Sequence, residues 1–203
     1  MMPKAPAICL MIGVAVTLGL RDDRAAAHPH VWIDAVTTFV FEDRALVGVR
    51  HQWRFDELFS AFVIEEHDAN GDGAFDAAET QAVRAQAFAN LREYDYFTHL
   101  RVDGKKLPLD EVTDFTAEND NGVLVYSFIM PLPEPVDPGA EPVAVGIYDP
   151  EYYVEILLDE FDPVHFEGIP SGACTFSVRE DTEHPIYYGL VNPLVIALSC
   201  ATS

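Results

Sequence analysis

Residues 31–55 are rich in apolar side chains, many of them β-branched or aromatic, and contain one short charged segment, a pattern typical of two strands joined by a turn. Two stretches follow this pattern, Val31–Phe41 and Ala45–Arg54, and the charged residues 42–44 lie between them. Both stretches contain β-branched and aromatic residues, which favour strands. The sequence therefore predicts a β-hairpin.

From residue 56 onwards the apolar positions change to helical spacing. A group of apolar residues recurs at this spacing after an aspartate that can cap the helix: Leu58, Phe59, Phe62 and Val63, after Asp56. A second helix is predicted from Asp76, with Val83, Ala87 and Leu91 on one face. The chain from about residue 56 to 95 is therefore predicted to form a helix, a loop and a second helix.

Strand-like segments return near residue 97 and alternate with turn signals. The Asp103-Gly104 dipeptide is a strong hairpin signal. The predicted strands are Phe97–Val102, Lys105–Leu109, Val112–Thr116, Val123–Met130, Val143–Tyr148, Tyr153–Leu158 and Cys174–Arg179. The proline-rich segment Pro131–Pro142 is predicted to be a loop within one domain. This pattern predicts a mainly β fold, namely a β-sandwich with the helix–loop–helix inserted at about 56–95, α+β overall.

The first 27 residues have the pattern of a signal peptide. Lys4 precedes an apolar run from Ala5 to Leu20, and residues 25–27 are the small side chains that signal peptidase requires. The run is shorter than the roughly twenty residues that span a bilayer, so cleavage is favoured over an uncleaved anchor. We therefore expect a periplasmic protein whose residues 28–203 form a single domain that is not embedded in a membrane.

The composition is strongly acidic, with a formal net charge of −22. Such a protein concentrates cations, so we expect neither nucleic acid nor an anionic membrane surface as a partner. Cys9 lies in the predicted signal segment, which leaves Cys174 and Cys200 in the mature chain. An even pair in an exported protein predicts a disulfide, and two free thiols or a soft-metal site are the alternatives.

Residues 68–79, between the two predicted helices, match the twelve-residue EF-hand calcium loop. The residues at its ligand positions are Asp68, Asn70, Asp72, Ala74 (through its backbone carbonyl), Asp76 and Glu79. Gly73 occupies the sixth position, where the loop turns sharply, and Phe75 occupies the eighth, where an apolar side chain faces the core. Because every ligand atom is an oxygen, the loop favours Ca²⁺ over softer metals.

The same acidic residues also fit a simpler interpretation, because Asp76 and Glu79 have the spacing of a capping box for the second helix. The two interpretations are compatible. EF-hands usually occur in pairs, and no second loop is visible in this sequence. The loop must then be held by the rest of the fold, so we expect a structural calcium site and not a switching sensor.

Cleavage after Ala27 would place His28 at the mature N-terminus, followed by Pro29 and His30. The α-amine and imidazole of a terminal histidine can chelate a metal together, and His30 can add a second imidazole, which suits Cu²⁺, Ni²⁺ or Zn²⁺. Pro29 has no amide N–H, which excludes the planar N-terminal chelate. The alternative is that both histidines are simply polar residues at the start of a strand.

Candidate third ligands are His51 on the neighbouring strand of the hairpin, Asp34 and Asp149. The other histidines are expected to be surface or hydrogen-bonded residues: His67, His99, His165 and His184. The sequence has no Gly-x-Ser-x-Gly elbow, no phosphate-binding glycine loop and no His-Glu-x-x-His pair. We therefore expect a binding protein and not an enzyme.

Several motifs in a fixed order resemble the DUF1007 family over nearly the whole mature chain. They are His28-Pro29-His30-Val31-Trp32, Trp53-x-Phe55-Asp56-Glu57-x-Phe59-Ser60, the acidic loop, Tyr96-Phe97-Thr98 and Tyr148-Asp149-Pro150-x-Tyr152-Tyr153. Members are described as periplasmic components of an uncharacterised transport system, and some resemble partners of nickel/cobalt permeases. The resemblance implies metal handling in the periplasm, with His28, His30, His51 and Asp149 as ligand candidates.

Three functions are compatible with these features. The leading hypothesis is a Ca²⁺-stabilised periplasmic protein that captures a divalent transition metal (Ni²⁺ or Co²⁺, Zn²⁺ or Cu²⁺) or passes it to an inner-membrane permease. One alternative is a copper oxygenase with a histidine brace at His28. The other is a Ca²⁺-dependent structural or interaction module without a transition metal.

Overall fold

The computed structural model describes residues 29–201. The predicted signal peptide, residues 1–27, and the candidate ligand His28 lie outside the described residues. The described chain forms two β-sheets, two α-helices and two 3-10 segments. The predicted mainly β class is therefore confirmed, whereas the β-sandwich and the single domain stay predictions.

The predicted hairpin is formed by strands β1 (Val31–Glu42) and β2 (Ala45–Phe55), which pair antiparallel. Less and more exposed side chains alternate along β1, because successive residues of a strand face opposite sides of the sheet. Asp43 and Arg44 form the turn with φ values of +47° and +71°, the left-handed geometry of a two-residue hairpin loop. Both strands end within one residue of the prediction.

The other strands follow the helices along the chain. They are β3 (Thr98–Val102), β4 (Lys105–Leu107), β5 (Thr113–Asp120), β6 (Val123–Val136), β7 (Val143–Ile147), β8 (Val154–Leu158), β9 (Val164–Glu167), β10 (Cys174–Glu180) and β11 (Leu194–Cys200). The first sheet has the order β5-β6-β2-β1-β8, with β9 also paired to β1, and the second has the order β10-β11-β7-β3-β4. Both sheets therefore combine segments that are distant in sequence.

Strand β1 has hydrogen-bonded partners on both edges. Its second edge pairs in parallel with β8 at residues 31–35 and with β9 at residues 37–40. Strand β9 was not predicted, because a strand of four residues carries too little periodicity to be recognised. Strand β11 was not predicted either, and its residues pair with β7 and β10 on either side.

Two helices, α1 (Glu57–His67) and α2 (Ala77–Gln86), flank the acidic loop. Asp56 caps α1, since its Oδ1 accepts hydrogen bonds from the second and third N–H groups of the helix, both at 2.9 Å. Its Oδ2 accepts a hydrogen bond from Trp32 N at 3.0 Å, which joins the start of α1 to β1. Within the described part of the chain, no helix has the length and apolar character that crossing a bilayer requires.

The second helix is shorter than predicted. It ends before the predicted apolar position Leu91, and a 3-10 segment, Phe88–Phe97, follows. Within this segment the rings of Phe88 and Tyr96 stack at 5.1 Å. Residues eight positions apart on a straight α-helix are separated by about 12 Å along its axis, so the helix must end for this contact to form. Tertiary packing therefore overrides the helical pattern here.

The proline-rich segment, residues 131–142, was predicted to be a loop, but its first six residues continue strand β6. Pro131 lies opposite Gly48 of β2, and Val136 lies opposite Leu46, with a register shift between the two positions. Proline has no backbone N–H to donate to the neighbouring strand, so regular pairing is interrupted in this segment. The loop prediction is wrong for these six residues and correct for the remainder.

One cluster of buried apolar side chains draws on both sheets and on the helices. Trp53 is fully buried, meets the ring of Phe128 edge to face at 4.8 Å and stacks on Phe97 at 6.1 Å. Leu100 and Ile196 add the second sheet to the same cluster. Such aromatic contacts contribute beyond their buried area, so this cluster is the main source of packing energy for the fold.

Cys174 and Cys200 form a disulfide, as predicted. They lie directly opposite each other where β10 and β11 pair antiparallel. The bond joins residues separated by 26 positions, and closure of such a loop stabilises a fold by about 3 kcal/mol in the chain-entropy model. The disulfide therefore fixes the C-terminal strand to the edge of the second sheet.

Gly168, just after β9, lies very close to β1. A Cβ atom at this position would overlap the carbonyl oxygen of Phe41, and φ is +81°. Gly168→Ala is therefore expected to lower the free energy of unfolding, measured by urea titration, by about 3 kcal/mol or more. Gly172→Ala is the matched control, because its φ is +78° but nothing lies within 4 Å of the added carbon. It should cost about 1 kcal/mol, and equal losses in the two variants would contradict the overlap.

Candidate functional site

The predicted calcium loop, residues 68–79, connects α1 to α2. Asp68 is the C-cap of α1 and Asp76 is the N-cap of α2. Asp76 Oδ1 accepts hydrogen bonds from Ala78 N at 2.7 Å and Glu79 N at 2.9 Å. The Glu79 carboxylate in turn accepts a hydrogen bond from Asp76 N at 2.9 Å. The loop therefore ends in the capping box that its sequence predicts.

Side-chain oxygens in the first half of the loop accept hydrogen bonds from the backbone of the loop itself. Asp68 accepts from Gly71 N at 2.8 Å and from Gly73 N at 2.9 Å. Asn70 and Asp72 each accept from the N–H two residues later, at 2.8 Å and 2.9 Å. The bonds of Asn70 and Asp72 are Asx turns, and together with those of Asp68 they curl the backbone. Glycine suits positions 71 and 73, where φ is +71° and +82°.

Glu79 connects the two ends of the loop and is only 7% exposed. Its Oε1 accepts hydrogen bonds from Ala69 N at 2.9 Å and from Asn70 N at 3.2 Å. In this arrangement no three acidic side chains of the loop bring their oxygens within 4.8 Å of one another. Bidentate coordination by Glu79, as in an EF-hand, would therefore require its carboxylate to exchange some of these amide contacts for the cation.

The middle of the loop is held by the rest of the protein. Asn119, in β5, donates a hydrogen bond from Nδ2 to Gly73 O at 3.0 Å. Phe75 is partly buried and packs against the apolar core. These two contacts tie the middle of the loop to β5 and to the core.

The donor atoms of the loop fit a hard cation in type and number. The loop has four carboxylates, the side-chain oxygen of Asn70 and the carbonyl of Ala74, and Ca²⁺ takes six to eight oxygen ligands. Each carboxylate oxygen has two lone pairs, so an oxygen that accepts one N–H can still bind a cation. The loop therefore fits Ca²⁺, provided that Glu79 reorients.

His30, the described member of the N-terminal histidine pair, is exposed next to the start of β1. Its backbone N–H donates to Tyr153 O at 2.8 Å, and the centroids of the two rings lie 4.7 Å apart. Residue 30 is therefore fixed beside the turn that precedes β8. The predicted partner of His30, His28, lies outside the described residues.

Asp149 lies in that same turn and is 3% exposed. Its carboxylate accepts hydrogen bonds from the backbone N–H groups of Glu151 and Tyr153, both at 2.9 Å, and of Val154 at 3.0 Å. Bonds from N–H groups to a charged carboxylate are stronger than neutral ones, so they hold the turn. The structure thus brings Asp149 and His30 into contact with the same residue, Tyr153, but directs the carboxylate to backbone amides.

The structure does not bring His51 together with His30. His51 lies opposite Thr37 in the hairpin, and residue 37 is about 23 Å from residue 30 at the usual strand rise. The His51 ring is fully buried, with Nδ1 3.4 Å from Thr37 Oγ1 and Nε2 3.1 Å from Thr98 Oγ1. Both ring nitrogens are therefore engaged inside the core. Asp34 points outward from β1 about 13 Å from residue 30 by the same rise, so it does not join the histidine either.

Among residues 29–201, one group brings together three side chains of types that bind metals. Ligand atoms of Asp181, Glu183 and His184 all lie within 4.8 Å of one another, and His184 Nδ1 is 2.9 Å from Asp181 Oδ2. Asp181 also accepts hydrogen bonds from the backbone N–H groups of residues 183 and 184. His184 was predicted to be a surface or hydrogen-bonded residue, and its hydrogen bond to Asp181 agrees with this prediction. The Asp-x-Glu-His pattern was not predicted as a metal site, because the turn and not the spacing brings the three side chains together.

Most of the chain matches one protein family: the sequence profile described as "Protein of unknown function (DUF1007)" aligns with residues 13–188. The chain belongs to the DUF1007 family. The part that matches DUF1007 includes the acidic loop, Asp149 and His184, and it ends before Cys200. The resemblance seen in the motifs is therefore confirmed at the level of the family.

Two relatives of this DUF1007 protein carry names without a function. An uncharacterised 15.5 kDa protein of Spirochaeta aurantia is 32% identical over 131 residues, which cover 64% of this chain and 93% of the relative. An uncharacterised protein of Haemophilus influenzae is 28% identical over 162 residues, which cover 79% of this chain and 74% of the relative. No solved structure matches the chain.

The buried His51 of this DUF1007 protein should make its stability depend on pH. Burial lowers the pKa of His51 to about 3 from 6.5, because the charged imidazolium loses its solvation. Between these two pH values the unfolded chain binds one more proton than the folded chain. The contribution of His51 to stability is therefore full above pH 6.5 and falls by about 1.4 kcal/mol per pH unit below it.

Urea titrations between pH 7 and pH 5 test this pH dependence. His51→Gln keeps neutral hydrogen-bonding groups and is expected to remove the histidine part of the slope. His165→Gln, at an exposed position, is the control and should retain the parent slope. A slope in His51→Gln equal to that of the parent would show that other groups cause the pH dependence.

Proposed function

We propose that this DUF1007 protein is an exported metal-binding protein, stabilised by Ca²⁺, that acts as an accessory component of a periplasmic divalent-metal transport system. In this proposal residues 68–79 form an EF-hand that holds one Ca²⁺. His28 and His30 hold a transition metal, Ni²⁺ or Co²⁺, Zn²⁺ or Cu²⁺, and the two sheets stack as a β-sandwich. The observation that carries the proposal is the set of hydrogen bonds from backbone N–H groups to the side-chain oxygens of Asp68, Asn70 and Asp72, which curls the loop around these oxygens.

Electrostatics favour a cation in the acidic loop. Its twelve residues include four carboxylates and no lysine or arginine, in a chain with a net charge of −22. Repulsion among neighbouring carboxylates opposes folding of the loop, and a divalent cation would offset it. The loop joins α1 to α2 and contacts β5 through Asn119. Ca²⁺ in the loop would therefore stabilise the position of both helices on the sheet.

The transition-metal part of the proposal depends on the donors near the mature N-terminus. His30 is exposed and is held at the start of β1 by its contacts with Tyr153. Cleavage after Ala27 would add the α-amine and the imidazole of His28, both of which suit borderline and soft divalent metals. The carboxylate of Asp149 accepts hydrogen bonds from three backbone N–H groups. It can be a third ligand only if it gives up some of these bonds.

The transport role rests on the resemblance to the DUF1007 family, because some members of this family resemble partners of nickel/cobalt permeases. A copper oxygenase would need a further imidazole beside His28 on the adjacent strand. His51, the candidate for that position, lies in the core instead. The other alternative is a Ca²⁺-dependent interaction module without a transition metal. The transition-metal content of the purified protein distinguishes this module from a metal-handling protein.

Calcium is expected to stabilise the parent protein much more than two loop variants. A ligand at 100 times its Kd adds about 2.7 kcal/mol to the free energy of unfolding. This gain should appear as a higher midpoint of thermal unfolding in CaCl₂ than in EGTA. Asp68→Asn and Glu79→Gln should each lose most of it, because each replaces a charged ligand by an amide of the same shape.

The matched control for the calcium experiment is Asp110→Asn, which removes an exposed carboxylate outside the loop and should keep the full gain. For each variant, the midpoint of thermal unfolding in CaCl₂ is compared with that of the same variant in EGTA. Loss of the capping bonds of Glu79 lowers both midpoints, so the difference between them reports the effect of calcium. A gain that both loop variants retain would place the ion elsewhere. No gain in the parent would reject the calcium proposal.

Elemental analysis of the protein purified from periplasm without a tag is expected to find one calcium and one transition metal per chain, with an intact mass that begins at His28. His30→Ala should lower the transition-metal content about tenfold or more and leave calcium unchanged. His184→Ala is the matched control, because it removes the imidazole of the group formed with Asp181 and Glu183.

If only one of the two histidine variants loses the transition metal, that variant identifies the site. Loss in His184→Ala alone would assign the transition metal to the turn at residues 181–184. Calcium without any transition metal would reject metal handling and leave the interaction module. An intact mass that begins at another residue would remove the terminal amine from the proposed chelate.

A further inference from the structure

A cavity of about 550 Å³ lies where α1 and the 3-10 segment Phe88–Phe97 meet the first sheet. Its apolar walls are formed mainly by Phe55, Phe59, Val63, Leu91 and Val154. Phe62 is 62% exposed and also lines the cavity, so the cavity reaches solvent along α1. Sites for small molecules in proteins are typically concave, mostly apolar and about 300–1,000 Å³ in volume. The cavity has this size and character.

One residue that lines the cavity, Tyr126, carries a buried polar atom without a partner in the described chain. The hydroxyl of Tyr126 is buried and makes no hydrogen bond with any residue of the described chain, and the residue is 2% exposed. Its ring is surrounded by Phe55 at 4.8 Å, Phe115 at 5.2 Å and Phe88 at 5.8 Å. Burial raises the pKa of Tyr126, which keeps the hydroxyl protonated as a donor. Buried hydroxyls normally find a partner, and a bound molecule could supply one.

Carboxylates outnumber basic side chains around the cavity. Glu66 and Glu151 line it and are exposed, and the buried Asp149 lines it too. Apart from tyrosines, the other polar residues of the described lining are His67 and Gln86, and none is a lysine or arginine. The net charge of the chain adds to this negative potential. An anionic ligand would be repelled, so fatty acids and similar carboxylates do not suit the site. A neutral or cationic molecule is compatible with it.

We propose that this cavity binds a small aromatic molecule, neutral or cationic, that presents a hydrogen-bond acceptor to the hydroxyl of Tyr126. The apolar walls supply the binding energy, the hydroxyl orients the ligand, and the carboxylates of Glu66 and Glu151 exclude anions. The cavity lies next to the calcium loop, since its lining residue His67 precedes Asp68, and Asp149 also lines it. The binding of the proposed ligand nevertheless does not require the metal sites to be correct. The titrations are therefore carried out both in CaCl₂ and in EGTA.

The first test uses two fluorescent probes that share one ring system. N-phenyl-1-naphthylamine is neutral, and 1-anilinonaphthalene-8-sulfonate carries a sulfonate. The neutral probe is expected to bind the protein purified from periplasm with one site per chain and about tenfold more tightly than the anionic probe. Glu66→Gln/Glu151→Gln should reduce this ratio. Equal binding of both probes, or many weak sites per chain, would overturn the proposal.

A second test locates the neutral probe in the cavity. Leu91→Trp adds bulk to the cavity wall and is expected to reduce affinity for the neutral probe by about tenfold or more. Leu107→Trp is the matched control, because Leu107 is also half-buried against the core but lies outside the cavity. Thermal unfolding shows whether each variant folds. If Leu91→Trp does not fold, Phe62→Ser replaces it, with Phe161→Ser at another exposed phenylalanine as control.

A third test concerns the hydroxyl of Tyr126. Prodan, a neutral naphthalene with a ketone oxygen, can accept its hydrogen bond. Tyr126→Phe is expected to weaken prodan binding by about three- to tenfold, the value of one hydrogen bond, and to leave binding of N-phenyl-1-naphthylamine within about twofold. Equal losses for both probes would indicate a purely structural role and remove Tyr126 from the proposal.

Discussion

Strand β1 is hydrogen-bonded along both edges, and the arrangement of the first sheet depends on this. One edge pairs with β2, its neighbour in sequence, whereas the other receives β8 and β9 in parallel. Parallel strands cannot be joined by a tight turn, so the chain forms both helices and much of the second sheet before it returns to β1. Near its start, the same strand donates from Trp32 to Asp56, and the preceding His30 contacts the turn at Tyr153. The positions of α1 and of the N-terminal residues therefore follow from the pairing of β1.

The carboxylates of this acidic chain serve first as acceptors for backbone N–H groups. Asp56 caps α1, Asp149 holds the turn before β8, and Asp181 holds the turn at residues 181–184. Each uses the strong hydrogen bond between an N–H and a charged oxygen to satisfy amides that no helix or sheet would pair. An acidic residue is therefore weak evidence for a metal in this protein. The loop at residues 68–79 differs because four carboxylates, an amide and two left-handed glycines occupy twelve residues.

The proposed metal sites and the apolar cavity lie close to one another, near α1 and Tyr153. Tyr153 contacts His30 and lines the cavity, and α1 contributes to the cavity wall before it enters the acidic loop at Asp68. These sites are therefore neighbours in the fold. The fully buried His51 belongs to a different environment, since it contacts the aromatic core at Trp53 and acts as a neutral core residue.

The local features of this protein were determined by the sequence itself. The β-branched and aromatic residues of positions 31–55, with the charged turn between them, predicted β1 and β2. Asp56 and Asp76 marked the starts of the helices, and the two cysteines predicted the disulfide. These features depend on residues close in sequence, or on chemistry that has few alternatives. The family could also be recognised from motifs in a fixed order.

The tertiary structure alone decided which distant residues meet. The parallel pairing of β8 and β9, the pairing of β11 and the early end of α2 depend on contacts that no local pattern encodes. The position of His51 was also decided by the tertiary structure. Its place in the sequence made it a candidate ligand, but packing buries it in the core. Whether a polar side chain binds a ligand depends on its distance from other groups and its access to solvent, and both are set by the whole fold.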